Sequence, residues 1–160
     1  EKKTMAYQAK RKAAYTQDFE LVDENGNVAH RLSVALDPGS VIEKLNQKYI
    51  ALVRAQHETS SVETNIQEGS LNGNEELGRA YETLGRASVD LIEAVFGSED
   101  TKIILDFYNG RYVDMISEVA PFITTVVIPD LRRITQENKK EILNKYNRKQ
   151  RRAILKGWKK

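Results

Sequence analysis

The residues in this chain whose types could support chemistry are few and scattered. His30 lies in an alternating stretch and His57 near a helix end, and neither has a histidine, cysteine or carboxylate at the spacing a bound metal requires. The acidic pairs Glu75/Glu76 and Glu99/Asp100 fall in the first turns of expected helices, where the helix dipole accounts for negative charge without catalysis. GSLNGNEELG has the glycines of a phosphate cradle but neither a preceding strand nor a closing GK[ST]. There is no G-x-S-x-G and no cysteine nucleophile. The expectation is a protein that is not an enzyme and takes no metal or cofactor.

The stretch that asks for a function is the end, ILNKYNRKQRRAILKGWKK. Residues 139–160 carry ten bases and one acid, a charge of +9, which leaves fifteen bases and twenty-two acids in residues 1–138, a charge of −7. Three readings compete for that segment. It could be a solvated helix end favoured by the dipole. It could bind nucleic acid, with Arg148, Arg151 and Arg152 on phosphates and Tyr146 and Trp158 stacking on bases. It could be an amphipathic docking segment, because Ile142, Leu143, Ile154, Leu155 and Trp158 interrupt the charge. The acidic body repels a duplex approaching broadside and attracts the basic end of another copy, so the third reading leads and nucleic acid is the alternative.

The elements that would position these residues follow from period and punctuation. Phe19 and Leu21, then Val28, His30, Leu32, Val34 and Leu36, alternate on either side of Asn25-Gly26, predicting a hairpin with strands at about 15–23 and 28–36. Ser40 and Glu43 form a capping box before a stripe of Val41/Ile42, Leu45, Tyr49 and Leu52/Val53. Residues 59–74 are polar and aperiodic, and read as a long loop. A second helix is expected over about 74–96, ended by Gly97, with Ser98 capping a short one that Asn109-Gly110 breaks. Pro121 should kink the next helix, and Pro129 should end it or open another. The result is an α+β chain: an N-terminal β-hairpin, then four or five mainly antiparallel helices with a predominantly helical core.

At 160 residues the chain is long enough for one buried core. The expected organisation is a flexible basic N-terminus at 1–14, a single domain at 15–138 and a basic C-terminal helix or tail at 139–160. The absence of cysteine excludes a disulfide framework. The apolar run 119–128 is half the length of a bilayer span, and the first residues lack the apolar centre of a signal peptide, so an intracellular location is expected.

The sequence from ELGRAYETLGRASV to TTVVIP, following hairpin, helix and polar loop, resembles the small tail assembly chaperones of long-tailed, siphovirus-type phages and prophages of Gram-positive bacteria. The telling part is VDLIEAVFGSEDTKIILDFYNGRYVDMISEV, residues 89–119: helix, FG break, short helix, aromatic NG turn, helix. EILNKYNRKQRR is similar to the basic ends of such proteins. The resemblance covers about residues 15–152, and no single motif in it is diagnostic.

The resemblance implies a non-enzymatic protein that coats the tape-measure protein before tube subunits polymerise around it. Such a protein self-associates in spirals or rings, acts in the host cytoplasm and is absent from the finished particle. A holdase for an apolar helical rod needs exposed apolar surface. The residues clustered about the NG turn are Ile104, Phe107, Tyr108, Tyr112, Met115, Ile116 and Val119, each of which could equally be core. Self-association is expected through Tyr146, Arg148, Arg151, Arg152, Ile154, Leu155 and Trp158.

Overall fold

The computed structural model of the chain describes residues 6–67 and 73–158, with side chains described through residue 145 except at residue 73. Strands β1 (Tyr15–Val22) and β2 (Val28–Leu36) pair antiparallel, with Phe19 opposite Leu32 and Tyr15 opposite Leu36. Asp23 organises the turn. Its carboxylate accepts the N–H groups of Asn25 and Asn27, and Gly26 sits at φ +83°, a conformation that suits a residue without a Cβ. Alternation then works as expected: Leu21, Leu32 and Val34 are buried on one face, which lies on helices.

Helix α1 (Pro38–Gln67) starts earlier and ends later than its stripe suggests. Pro38 takes the first helical position, where a missing N–H costs nothing, and the Asp37 carbonyl accepts the Val41 N–H. Ser40 is therefore not the cap; its hydroxyl donates to the same Asp37 carbonyl. Residues 59–67, expected as loop, are helical because α1 lies antiparallel on α2 (Gly73–Tyr108) over this length. Thr59 is buried there and donates to the Ala55 and Ala80 carbonyls, and the Tyr81 hydroxyl donates to Glu63. The rest of the expected loop, residues 68–72, lies outside the described residues.

The glycine and Asn-Gly breaks fall where the sequence puts them. Gly97 stands at φ +82°, ψ 170° and divides α2, and Asn109 and Gly110, both at positive φ, end it. The Ser98 hydroxyl donates to the Glu93 carboxylate. Beyond the turn, α3 (Tyr112–Phe122), a π-helical segment (Ile123–Val127) and α4 (Ile128–Trp158) form one continuous helical run. Neither proline ends it. Among the described residues the expected four or five helices therefore resolve into three helical runs after the hairpin, because the segments on either side of Gly97 follow one another within α2 and the proline-bounded segments fuse. By length and composition the run over Tyr112–Lys145 could cross a membrane, which the 119–128 stretch alone could not. Its apolar residues Met115, Val119, Ile123, Val127 and Leu131 are instead packed in the core.

The hairpin and this run lie side by side with matched pitch. Lys12 bonds Asn138, Tyr15 bonds Asp130, and the Phe19 ring meets Phe122 at 4.7 Å between centroids. Four extended residues cover about 13 Å and eight helical residues about 12 Å, so the contacts stay in step. Phe96 of α2 closes the group, 5.2 Å from Phe19 and 5.9 Å from Phe122. The N-terminal segment 6–14 has no helix, and Lys12 ties it to α4 through Asn138 (2.6 Å) and Glu141 (2.9 Å).

Candidate functional site

The same pitch, followed the other way, brings the turn end of β1 against the start of α3. Between them lies a groove of about 870 Å³ lined by residues 19–24 of the hairpin and by Phe107, Tyr108, Asn109, Arg111, Asp114, Ser117 and Glu118. Phe19, Val22, Phe107 and Tyr108 supply its apolar surface, and Leu21, also in its lining, is buried. Its charges are Glu20, Asp23, Glu24, Asp114 and Glu118 against Arg111 alone. Asp114 lies in the first turn of α3, where the dipole favours it. Glu20 is paired with Arg31 at 3.1 Å, whereas Glu24, Asp114 and Glu118 have no ion-pair partner among the described residues. Burial first, then the charges of Glu118 and Asp114, push the Tyr108 phenol above its ordinary value.

The residues expected to hold a client divide in two. Ile104, Met115, Ile116 and Val119 are core: Ile104 and Val119 are 0% exposed, so they offer no contact surface in this fold. All four belong to the core cluster that also holds Leu21, Leu32 and Phe96. Phe107 and Tyr108 are half-buried groove residues, packed edge to face at 5.1 Å. Tyr112 is 46% exposed and faces the other side of the α3 start.

There it joins Tyr81 and Val113, also exposed, in an apolar shelf that sequence reasoning assembled only in part. Two shallow depressions of about 340 and 280 Å³ flank the shelf, and Tyr81 and Tyr112 line both. Gly85 lies beside it: the Tyr112 ring is 3.8 Å from where a Cβ would stand, an ordinary contact distance. Ala80 takes the position against α1, which turns Tyr81 outward.

The self-association residues Tyr146, Arg148, Arg151, Arg152, Ile154, Leu155 and Trp158 belong to α4, and their side chains lie outside the described ones. The helix leaves the body before them. Every side chain from Lys139 to Lys145 is exposed, Ile142 at 66% and Leu143 at 53%. Among the described residues, no group of three or more histidines or carboxylates could hold a metal.

No family model matches the chain, and no solved structure matches it. Two curated relatives share part of it: Protein MxiA of Shigella flexneri and Protein MxiA of Shigella sonnei, each 30% identical over 119 residues. The match takes in 74% of this chain, and the chain spans 16% of the length of those relatives.

Proposed function

We propose that the chain is a non-enzymatic tail assembly chaperone that keeps a tape-measure protein soluble and self-associates around it before tail tube subunits polymerise. The observation that carries this reading is the shelf of Tyr81, Tyr112 and Val113, large apolar side chains left together in solvent beside shallow depressions. Amphipathic helices lay apolar anchors into such surfaces, and shallow seats favour weak, displaceable contacts. A holdase needs that displaceability, because incoming tube protein has to remove it. The chaperone acts in the host cytoplasm and leaves before the particle is complete.

Coexpression with the tape-measure protein tests the proposal. The wild-type chain is expected to move the tape-measure protein from pellet to supernatant, and a Tyr81→Ser/Tyr112→Ser variant to lose that effect while remaining folded. A tape-measure protein that stays in the pellet with the wild-type chain rejects the reading.

The exposed bases Lys139, Lys140 and Lys145 favour a second reading, nucleic-acid binding through α4. It requires a steeply salt-dependent shift of duplex in a gel. Absence of a shift at low salt removes it.

A further inference from the structure

The acidic groove and the basic arm of α4 stand at opposite ends of one helical run. Asp114 lies in the groove, and the arm begins near residue 139, about 37 Å further along at 1.5 Å per residue. The helix is continuous between them, so a chain cannot lay its own arm in its own groove without breaking α3, the π segment or α4. We propose that the groove between β1 and the start of α3 receives the α4 arm, residues 139–158, of a second copy of this chain.

Charge and shape both select that occupant. The groove has five carboxylates and one arginine about apolar side chains, and the arm has eight bases and one acid over 139–158. At 3.6 residues per turn, apolar positions 142, 143, 146, 153, 154 and 158 share one half of the arm's circumference with bases 139, 140 and 151 in or beside it, and basic positions 145, 148, 149, 152 and 156 share the other with Leu155. An amphipathic helix of that pattern sets its apolar half on Phe19, Val22, Phe107 and Tyr108 while its bases meet Glu24, Asp114 and Glu118. The arm's one acid, Glu141, is occupied by Lys12 and does not oppose the groove. Groove and arm being different surfaces at opposite ends, each bound copy presents a free groove or a free arm, and the contact repeats into an open chain of molecules. This deepens the self-association that the proposed function includes and does not depend on the client.

Reciprocal charge reversal tests it. Glu24→Lys/Glu118→Lys reverses the groove at two side chains that make no hydrogen bond or ion pair among the described residues, and Arg148→Glu/Arg152→Glu reverses the arm. Sedimentation of the full-length wild-type chain at low salt is expected to show assemblies larger than a dimer that dissolve as salt rises. Each double variant alone should associate about tenfold or more weakly. Their mixture should regain assembly, because each reversed surface then meets its complement. Circular dichroism checks that both variants fold. A wild-type chain monomeric at low salt, a groove reversal without effect, or a mixture that stays dispersed overturns the proposal. Tape-measure solubilisation is scored separately, so assembly without solubilisation rejects the chaperone function and leaves the docking intact.

Discussion

Tyr15 donates a 2.8 Å hydrogen bond to the Asp130 carboxylate, fastening the first residue of β1 to the start of α4. That bond sets the phase of the hairpin along the helical run, since Phe19 against Phe122 and the groove at Asp23 and Asp114 follow from it at fixed pitch. Burial, then the bond to Asp130 and its charge, raise the Tyr15 phenol far above its usual value.

Tyr15→Phe should therefore cost about 1–2 kcal/mol of stability at neutral pH, as expected for a half-buried hydrogen bond to a charged acceptor. A raised folded-state pKa means that the folded chain holds the proton more tightly. The contribution is complete below the unfolded value of 10.0 and declines as pH rises beyond it. Urea unfolding of both chains from roughly pH 8 to 11 should show their difference shrinking above about 10. A constant difference across that range rejects the coupling.

Ile104 and Tyr112 should behave oppositely although both flank the same turn. Ile104→Ala opens a cavity in a fully buried site and should cost about 2–5 kcal/mol. Tyr112→Ser removes a half-exposed ring and should cost about 1 kcal/mol or less. Client solubilisation, measured with Tyr112→Ser still folded, should fall. Equal destabilisation by the two changes would place Tyr112 in the core.

The hairpin, Gly97 and Asn109-Gly110 were legible because their signals are local: alternation, a turn dipeptide, and residues that tolerate positive φ. Helix 59–67 was not, because TSSVETNIQ carries no apolar stripe and is held by Thr59 against Ala80 and by Glu63 under Tyr81. Of the residues expected to hold a client, Ile104, Met115, Ile116 and Val119 are buried in the core. Helical spacing shows that Met115 and Val119 share a side of α3 without telling whether that side meets solvent. The groove was invisible as a place: its acids come from 20–24 and 114–118, which meet only because strand and helix pitches match, and the sequence signal was no more than the −7 charge of the body.

Gly97→Ala isolates the cost of the break in α2. No heavy atom lies within 4 Å of where the new Cβ would stand, so crowding contributes nothing. The backbone at φ +82°, ψ 170° nevertheless excludes most L-residues and should cost about 1–3 kcal/mol. Thermal unfolding should show the loss. A neutral result means that α2 straightens through 97 without disturbing the Phe19–Phe96–Phe122 cluster.

The π segment has a cause in the core pattern, and that cause is testable by deletion. Met115, Val119, Ile123, Val127 and Leu131 are all buried, at strict intervals of four. At about 100° per residue, sixteen residues of α-helix overshoot four turns by about 160°, which would turn Leu131 away from the core. A π turn accommodates one extra residue and takes back about 100°, keeping both ends of the stripe inward. The Ile128 N–H accordingly reaches five residues back, to the Ile123 carbonyl. Deleting the exposed Thr125 should convert the turn to ordinary α-helix and preserve both buried faces, with a loss of about 1 kcal/mol or less. Deleting the exposed Ser117 from α3 rotates Met115 and Ile116 by about 100° against Val119 and should abolish cooperative unfolding. If the two deletions unfold the chain equally, the π turn does not serve to hold the stripe in phase.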